Sequence, residues 1–345
     1  MNLWLHLGFL ALVLVHKASA SNEKCDFFTG TWVVDGSYPL YNASACPFIE
    51  REFSCQMNGR PDSAYTKYRW KPLRCDLQRF EGLDFLKRFR GKSIMFVGDS
   101  LSRNQWQSLT CLLHSSVPHT SYTIAREADV STFTFTDYEV KVMLDRNVYL
   151  VDLVRQKNGR VLKLDSIEGG KLWKGVDMLI FNTWHWWNRR GPSQPWDYIQ
   201  VGNEIRKDMD RTQAFERALK TWGKWVDSNI DPEKTLVFFQ GISPSHYNGT
   251  LWNEPNAKSC NGQKEPVAGS TYPAGLPPAV GVLKGVLADI NKPVQLLDIT
   301  LLSLLRKDGH PSIYGLGGLI GMDCSHWCLA GVPDAWNLIL YNLIL

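Results

Sequence analysis

Asp323-Cys324-Ser325-His326 sets a carboxylate three residues ahead of an imidazole, a separation that puts both side chains on the same side of a turn or helix start. A second segment, Gly98-Asp99-Ser100, ends the apolar run Ile94–Val97 and leads into a helix-like pattern from Leu101 to His114. A serine becomes a nucleophile when an imidazole takes its proton and a carboxylate holds that imidazole. The two segments together supply all three groups. Each also has a plain structural reading: a serine at a helix start is a common N-cap, and His326 reads equally as a buried, hydrogen-bonded histidine. Spacing alone leaves these readings even.

Other histidines compete less well. Asp308-Gly309-His310 offers a second Asp–His pair, but two residues of separation across a glycine bring the side chains together less reliably. His114 ends the helix on the side away from the turn, and His119 and His246 lie in turn-like surroundings that suggest surface positions. Asp99 reads as structural, accepting N–H bonds in its turn. Cys324 and Cys328 straddle His326, so bridges from them would clamp the segment and pre-organise a base.

The elements that must position these groups alternate. "VYLVDLV", "VDMLIFN" (ending at Asn182), "TLVFFQG" and "VQLLDIT" read as buried strands, and Asp208–Val226 as an amphipathic helix. Strands alternating with helices predict a mainly parallel sheet covered on both faces, and the carboxyl end of such a strand is where α/β proteins place chemistry. Residues 25–80 hold four of the eight cysteines and little periodicity, which suggests a stapled minor lobe with short strands. Asn188–Gly202 and Asn253–Ala279 read as long loops, uncommon unless they bind something.

The chain has 345 residues and a formal charge of +4, too small and dispersed to argue for nucleic acid. Leu3–Val15 followed by Ala18 and Ala20 resembles a secretory leader over residues 1–20, with an uncleaved anchor as the alternative. In an oxidising compartment the eight cysteines imply up to four disulfides. Zinc is disfavoured because only Cys324 and Cys328 are close together, so no metal is expected. Sequons at Asn42 and Asn248 predict exposed glycosylated loops.

The motifs "GDSLSRNQW", "FNTWHWW", "RKDGHPSIY" and "DCSHWCLAGVPDAWN", in this order, resemble those of the plant trichome birefringence-like family of polysaccharide O-acetyltransferases, with the likeness running from Cys25 to the C-terminus. The resemblance implies an SGNH/GDSL-like α/β three-layer sandwich across a single catalytic domain, residues 21–345, with Ser100 as nucleophile and Asp323 and His326 completing a triad. It implies the pairings Cys25–Cys75, Cys46–Cys111, Cys55–Cys328 and Cys260–Cys324. It implies acetyl transfer to a cell-wall polysaccharide such as xylan, mannan, pectin or xyloglucan, from acetyl-CoA or another acetylated carrier, with no resident cofactor. The secretory pathway follows, either the Golgi, with membrane association through the N-terminus, or the wall. Ala330 departs from the family's usual proline, which removes a fixed φ but no reacting group.

The remaining roles combine the resemblance with chemistry. The Ser100 N–H, at the positive end of a helix, is a natural oxyanion donor. Asn182 is expected as a second donor, since SGNH enzymes use an asparagine in such a place. Sugar rings stack on indoles, which makes Trp184, Trp186 and Trp187 candidate substrate contacts, with Arg103 a brace or a further contact. Two rivals use the same residues: an acetylesterase, in which water replaces the acceptor, and a non-catalytic polysaccharide-binding protein built on the tryptophans.

Overall fold

The computed structural model describes residues 25–315 and 321–345; the leader-like segment lies outside them. The N-terminal segment forms a lobe around an antiparallel ribbon of β1 (Gly30–Val34) and β2 (Tyr68–Pro72). Then come α1 (Gly82–Arg88), β3 (Ser93–Val97) and α2 (Ser100–Ser116). A meander follows through β4 (Tyr122–Glu127), β5 (Val130–Phe135) and β6 (Val140–Asp145). The hairpin of β7 (Asp152–Gln156) and β8 (Gly159–Lys163) precedes β9 (Met178–Phe181), β10 (Tyr198–Val201) and β11 (Glu204–Arg206). The chain continues through α3 (Arg211–Asn229), β12 (Leu236–Gln240), α4 (Pro278–Ala288) and β13 (Gln295–Leu297), and ends with the short α5 (Thr300–Leu304) and α6 (Val332–Leu343).

The central sheet has seven strands in the order β13-β12-β9-β3-β6-β5-β4. From β13 to β6 neighbours run parallel, while β5 and β4 extend the sheet antiparallel. Side chains alternate between faces along each strand. Ile94 and Phe96 of β3 therefore join a core with α1, α2 and α6, and Met95 and Val97 join a second core with α3 and α4. Burial on both faces is why these strands read as unbroken apolar runs. The result is a three-layer α/β sandwich. Strand β3 lies between β6 and β9, a switch point at whose carboxyl end a site can open.

Three elements differ from what their sequence pattern predicts. Only the end of "VYLVDLV" is strand, and it belongs to a separate four-stranded sheet, β11-β10-β8-β7. The segment Asn188–Gly202 is not all loop, because β10 pairs in parallel with β8. The meander β4–β6 was not anticipated, although Val140, Val142 and Leu144 are buried in alternation along β6.

All eight cysteines are bonded. Cys25–Cys75 closes the lobe on itself, while Cys46–Cys111 fastens it to α2. Cys55–Cys328 links the lobe to the segment after His326 across 273 residues, and Cys260–Cys324 holds the segment before it. Among the described residues no helix is long and apolar enough to cross a membrane.

Candidate active site

Strand β3 delivers Ser100 to the carboxyl end of the central sheet through a tight turn. A Cβ on Gly98 would strike the Asn182 carbonyl and the Ser102 hydroxyl, so only glycine fits between the strand end and the neighbouring turn. Asp99 caps α2, its Oδ1 accepting the Leu101 N–H at 2.9 Å. Ser100 is therefore the first residue of α2, not its cap. Its N–H has no intrahelical acceptor and points with the positive end of the helix dipole.

His326 comes from the loop between α5 and α6. Its Nε2 lies 2.6 Å from Ser100 Oγ, and its Nδ1 lies 2.7 Å from Asp323 Oδ2. A carboxylate accepts from Nδ1–H, which leaves Nε2 to accept the serine proton. Asp323 is itself held: its Oδ1 accepts from the Ser325 N–H and hydroxyl, both at 3.0 Å, and from the His326 N–H at 3.1 Å. Its backbone exchanges two hydrogen bonds with Ser312. The Tyr247 hydroxyl accepts the Cys324 N–H and donates to the Met322 carbonyl, which fastens the same segment from the other side.

The electrostatics follow from these contacts. Burial works against charge on His326, but the hydrogen bond and charge of Asp323 outweigh it, with Glu52 and Asp99 adding, and the imidazole is raised above its ordinary pKa. Burial likewise opposes the charge of Asp323, yet the His326 hydrogen bond and charge and the two backbone N–H groups hold its carboxyl well below the usual range. The Asp323 carboxylate is thereby kept ionised beside the His326 ring.

The minor lobe takes part, which the sequence did not suggest. The Phe53 ring packs 5.7 Å from the His326 ring, and the Glu52 carboxylate adds negative potential there. Burial raises the Glu52 carboxyl against the opposing pull of Arg103 and His326. Arg103 pairs with Glu52 and, at 2.8 Å, with Glu50. These pairs place it at the seam between lobe and α2, outside the residues that line the cavity.

A cavity of about 700 Å³ opens over Ser100 and His326. Trp184, His185 and Trp186 line it, as do Tyr247, Leu251, Tyr272 and Leu276. The Arg189 guanidinium lies over the Trp186 ring at 3.6 Å. Among the described residues the lining includes Arg189 and Arg190 and no aspartate or glutamate. His185 Nε2 lies 2.9 Å from the Ser243 carbonyl oxygen, and burial lowers its pKa, which favours a neutral ring.

Two expected site residues lie elsewhere. Trp187 is fully buried, its Nε1 donating to Thr183 Oγ1 at 2.8 Å and its ring packed on Tyr149, Trp196 and Phe215. The turn His185–Asn188 is a 3-10 helix, which aims consecutive side chains in different directions and sends this one inward. Asn182 is 2% exposed and outside the cavity lining. Its Nδ2 donates to Asp99 Oδ1 at 2.6 Å, so one of its two amide hydrogens is committed to the cap residue beside Ser100.

The second Asp–His pair is split. Asp308 forms a buried ion pair with Arg306 at 2.8 Å, while His310 meets His246, which is fully buried and not at the surface. The sequon residues Asn42 and Asn248 are exposed. Among the described residues no group of three His, Cys, Asp or Glu is arranged to hold a metal ion.

Comparison with known proteins agrees with this architecture. Residues 77–343 match the PC-Esterase model, described as the GDSL/SGNH-like acyl-esterase family found in Pmr5 and Cas1p, and residues 23–76 match the PMR5 N-terminal domain. The chain is 66% identical over 337 residues to protein trichome birefringence-like 41 of Arabidopsis thaliana, covering 97% of this chain and 94% of the relative. It is 54% identical over 326 residues to trichome birefringence-like 38 of the same plant, covering 94% and 85%. Protein trichome birefringence itself is 42% identical over 350 residues, covering 95% of this chain and 57% of that one.

Proposed function

The chain belongs to the trichome birefringence-like group within the GDSL/SGNH-like acyl-esterase family, and from that premise we propose that it transfers acetyl groups to a plant cell-wall polysaccharide through an acetyl-Ser100 intermediate. The observation that carries the proposal is the unbroken hydrogen-bond chain from Ser100 Oγ through His326 to Asp323, at one end of an open cavity lined by indoles.

Ser100 Oγ attacks the acetyl carbonyl carbon as His326 Nε2 takes its proton. The carbonyl oxygen becomes an oxyanion facing the Ser100 N–H. Collapse of the tetrahedral intermediate expels the donor's leaving group, which receives the proton from Nε2 and leaves acetyl-Ser100. A sugar hydroxyl then gives its proton to Nε2 and attacks the acetyl carbon, and Ser100 Oγ leaves with that proton. Asp323 holds the Nδ1–H throughout and stabilises the imidazolium. No cofactor is required, and the donor is acetyl-CoA or another acetylated carrier.

Trp184 and Trp186 supply faces for sugar rings. Two guanidiniums with no acid among the described lining residues favour an acceptor bearing carboxylates, of which pectin is the example among the wall polymers. The glycosylation sequons and four disulfides support a secretory route to the Golgi lumen or the wall. The test is to incubate the purified protein separately with an acetyl donor plus deacetylated wall polymer and with acetylated polymer alone. Polymer acetylation supports the transferase; free acetate in the second reaction without acetylation in the first points to the esterase. Neither product, with no label on Ser100 from a serine-reactive probe, points to a binding protein.

A further inference from the structure

His246 and His310, on different loops, meet behind the base. His246 Nε2 lies 2.9 Å from the Leu304 carbonyl oxygen, His246 Nδ1 lies 2.7 Å from His310 Nε2, and His310 Nδ1 lies 2.6 Å from the carbonyl oxygen of His326 itself. A carbonyl can only accept, so the outer contacts fix hydrogens on His246 Nε2 and His310 Nδ1. Two neutral imidazoles carry one N–H each, and those hydrogens are now used. The inner contact would then set two lone pairs against each other at 2.7 Å. Flipping either ring exchanges its nitrogens for carbons and loses both of its hydrogen bonds, so it offers no escape.

We propose that His246 and His310 share a third proton, forming a buried imidazole–imidazolium pair that anchors the backbone of His326 and opposes protonation of its ring. The surroundings suit one positive charge. The Trp327 ring stacks on His310 at 4.0 Å between centroids and 26° between planes, an arrangement in which an indole face stabilises a cation. Trp252 and Tyr272 turn their rings toward His246 edge-on.

The charged groups around the pair nearly balance. Arg60 donates to the carbonyl oxygens of Asp308 and His310, and its guanidinium also meets Asp62. Arg306 is neutralised by Asp308, and Lys307 by Glu254. On the His326 side stands the Asp323 carboxylate, whose charge favours a proton on His310 while that of His326 disfavours it. Burial is the main force that pulls His246 down to about 4, against the Leu304 carbonyl and the Asp308 charge and with the Lys307 charge, and it is the main force that pulls His310 well below the ordinary value. The charge of His246 also lowers His310, so the pair takes one extra proton and not two. What overcomes burial is the lone-pair contact that the proton removes.

The consequence is a positioning role with a pH signature. A cation behind His326 partly offsets Asp323 and Glu52, so the base becomes neutral at a lower pH than it otherwise would. The effect on rate rests on His326 being the base; the proton count does not.

The full chain labelled with 15N-histidine, observed by long-range proton–nitrogen NMR near neutral pH, tests the count directly. Three protonated nitrogens across His246 and His310, with a strongly deshielded shared proton, are expected; one N–H on each ring overturns the proposal. In His246→Gln, the glutamine amide can donate to a neutral His310 and the cation is lost. The acid limb of small acetyl-ester turnover should then move up by about one pH unit, whereas a folded variant with an unmoved limb overturns the tuning role. If that variant fails to fold, the wild-type spectra still decide. A silent ester assay would count against the proposed Ser100 chemistry and leave the proton count intact.

Discussion

Asn104 grips the backbone of Trp327 from both sides, its Oδ1 accepting the Trp327 N–H at 2.8 Å and its Nδ2 donating to the Trp327 carbonyl at 3.1 Å. Asn104 sits one turn beyond Ser100 on α2, and Trp327 follows His326. The pair therefore sets the distance between Ser100 and His326 without touching Ser100 Oγ or His326 Nε2. Asn104→Ala should lower kcat for a small ester by about 10–100-fold, since misplacing a reacting group by an ångström costs on that scale. Stability should fall by about 1–3 kcal/mol because backbone groups are left unpaired. A loss of stability with unchanged kcat in the folded fraction would show that the grip only stabilises the loop.

Trp186 and Trp187 are adjacent in sequence and should behave as opposites. Trp187→Ala removes a fully buried ring and should cost about 3–5 kcal/mol of stability. Trp186→Ala should leave stability within about 1 kcal/mol and raise the polymer concentration needed for half-maximal rate, with a much smaller effect on a small ester. Chemical denaturation beside polymer kinetics separates the two. Comparable destabilisation in both would deny Trp186 a place in substrate binding.

Arg189 and Arg190 should matter in proportion to the charge of the polymer. Replacing both with Gln should raise KM for a uronate-rich polymer several-fold and weaken its dependence on salt, because exposed ionic attraction is screened over about 8–10 Å. A neutral polymer should be affected much less. Equal effects on both polymers would remove the electrostatic reading of the cavity.

The pH profile follows from the sign of the shifts. His326 must be neutral to accept the Ser100 proton, and its folded pKa is raised above the ordinary 6.5. Activity should therefore be lost, as pH falls, at a midpoint above 6.5 and not below it. For stability, the raised His326 contributes fully below its unfolded value and loses that contribution as pH rises through the folded one. The depressed Asp323 contributes above its unfolded value near 3.8 and loses it as acid drives the pH down through the folded value. Asp323→Asn should remove the pull on His326, shift the acid limb downward and reduce kcat severely, since the imidazole loses the partner that fixes its tautomer. A rate profile that ignores this substitution would exclude Asp323 from the site.

What was legible in the sequence was local. The apolar strand ending at Gly98, the turn, the helix and the three-residue Asp–His spacing all lie within short stretches, and short-range geometry fixes them. The disulfide partners came from family resemblance and could not be read from spacing, since Cys55 and Cys328 are 273 residues apart. Glu52 and Phe53 reach His326 from the minor lobe by that same long closure. His246 looked like a surface residue because its pairing with His310 spans 64 residues and leaves no local pattern. The burial of Trp187 leaves no sequence signal because a 3-10 turn follows neither the helical nor the strand period. The hydrogen bond from Asn182 to Asp99 spans 83 residues and likewise leaves no local pattern.

The central claim is that Ser100, His326 and Asp323 act as one unit that carries the acetyl group on Ser100. The most direct measurement is single-turnover acetylation of Ser100, followed by peptide mass, in the wild type, Ser100→Ala, His326→Ala, their double variant and His310→Ala. The account predicts acetyl-Ser100 in the wild type and no acetylation at this position in either variant lacking Ser100. His326→Ala should slow its formation by about 10³–10⁶-fold, with steady-state turnover in the double variant hardly below either single one, because such groups are non-additive. His310→Ala should still form it. A folded His310→Ala that never acetylates Ser100, beside a His326→Ala that does so at the normal rate, would contradict the account.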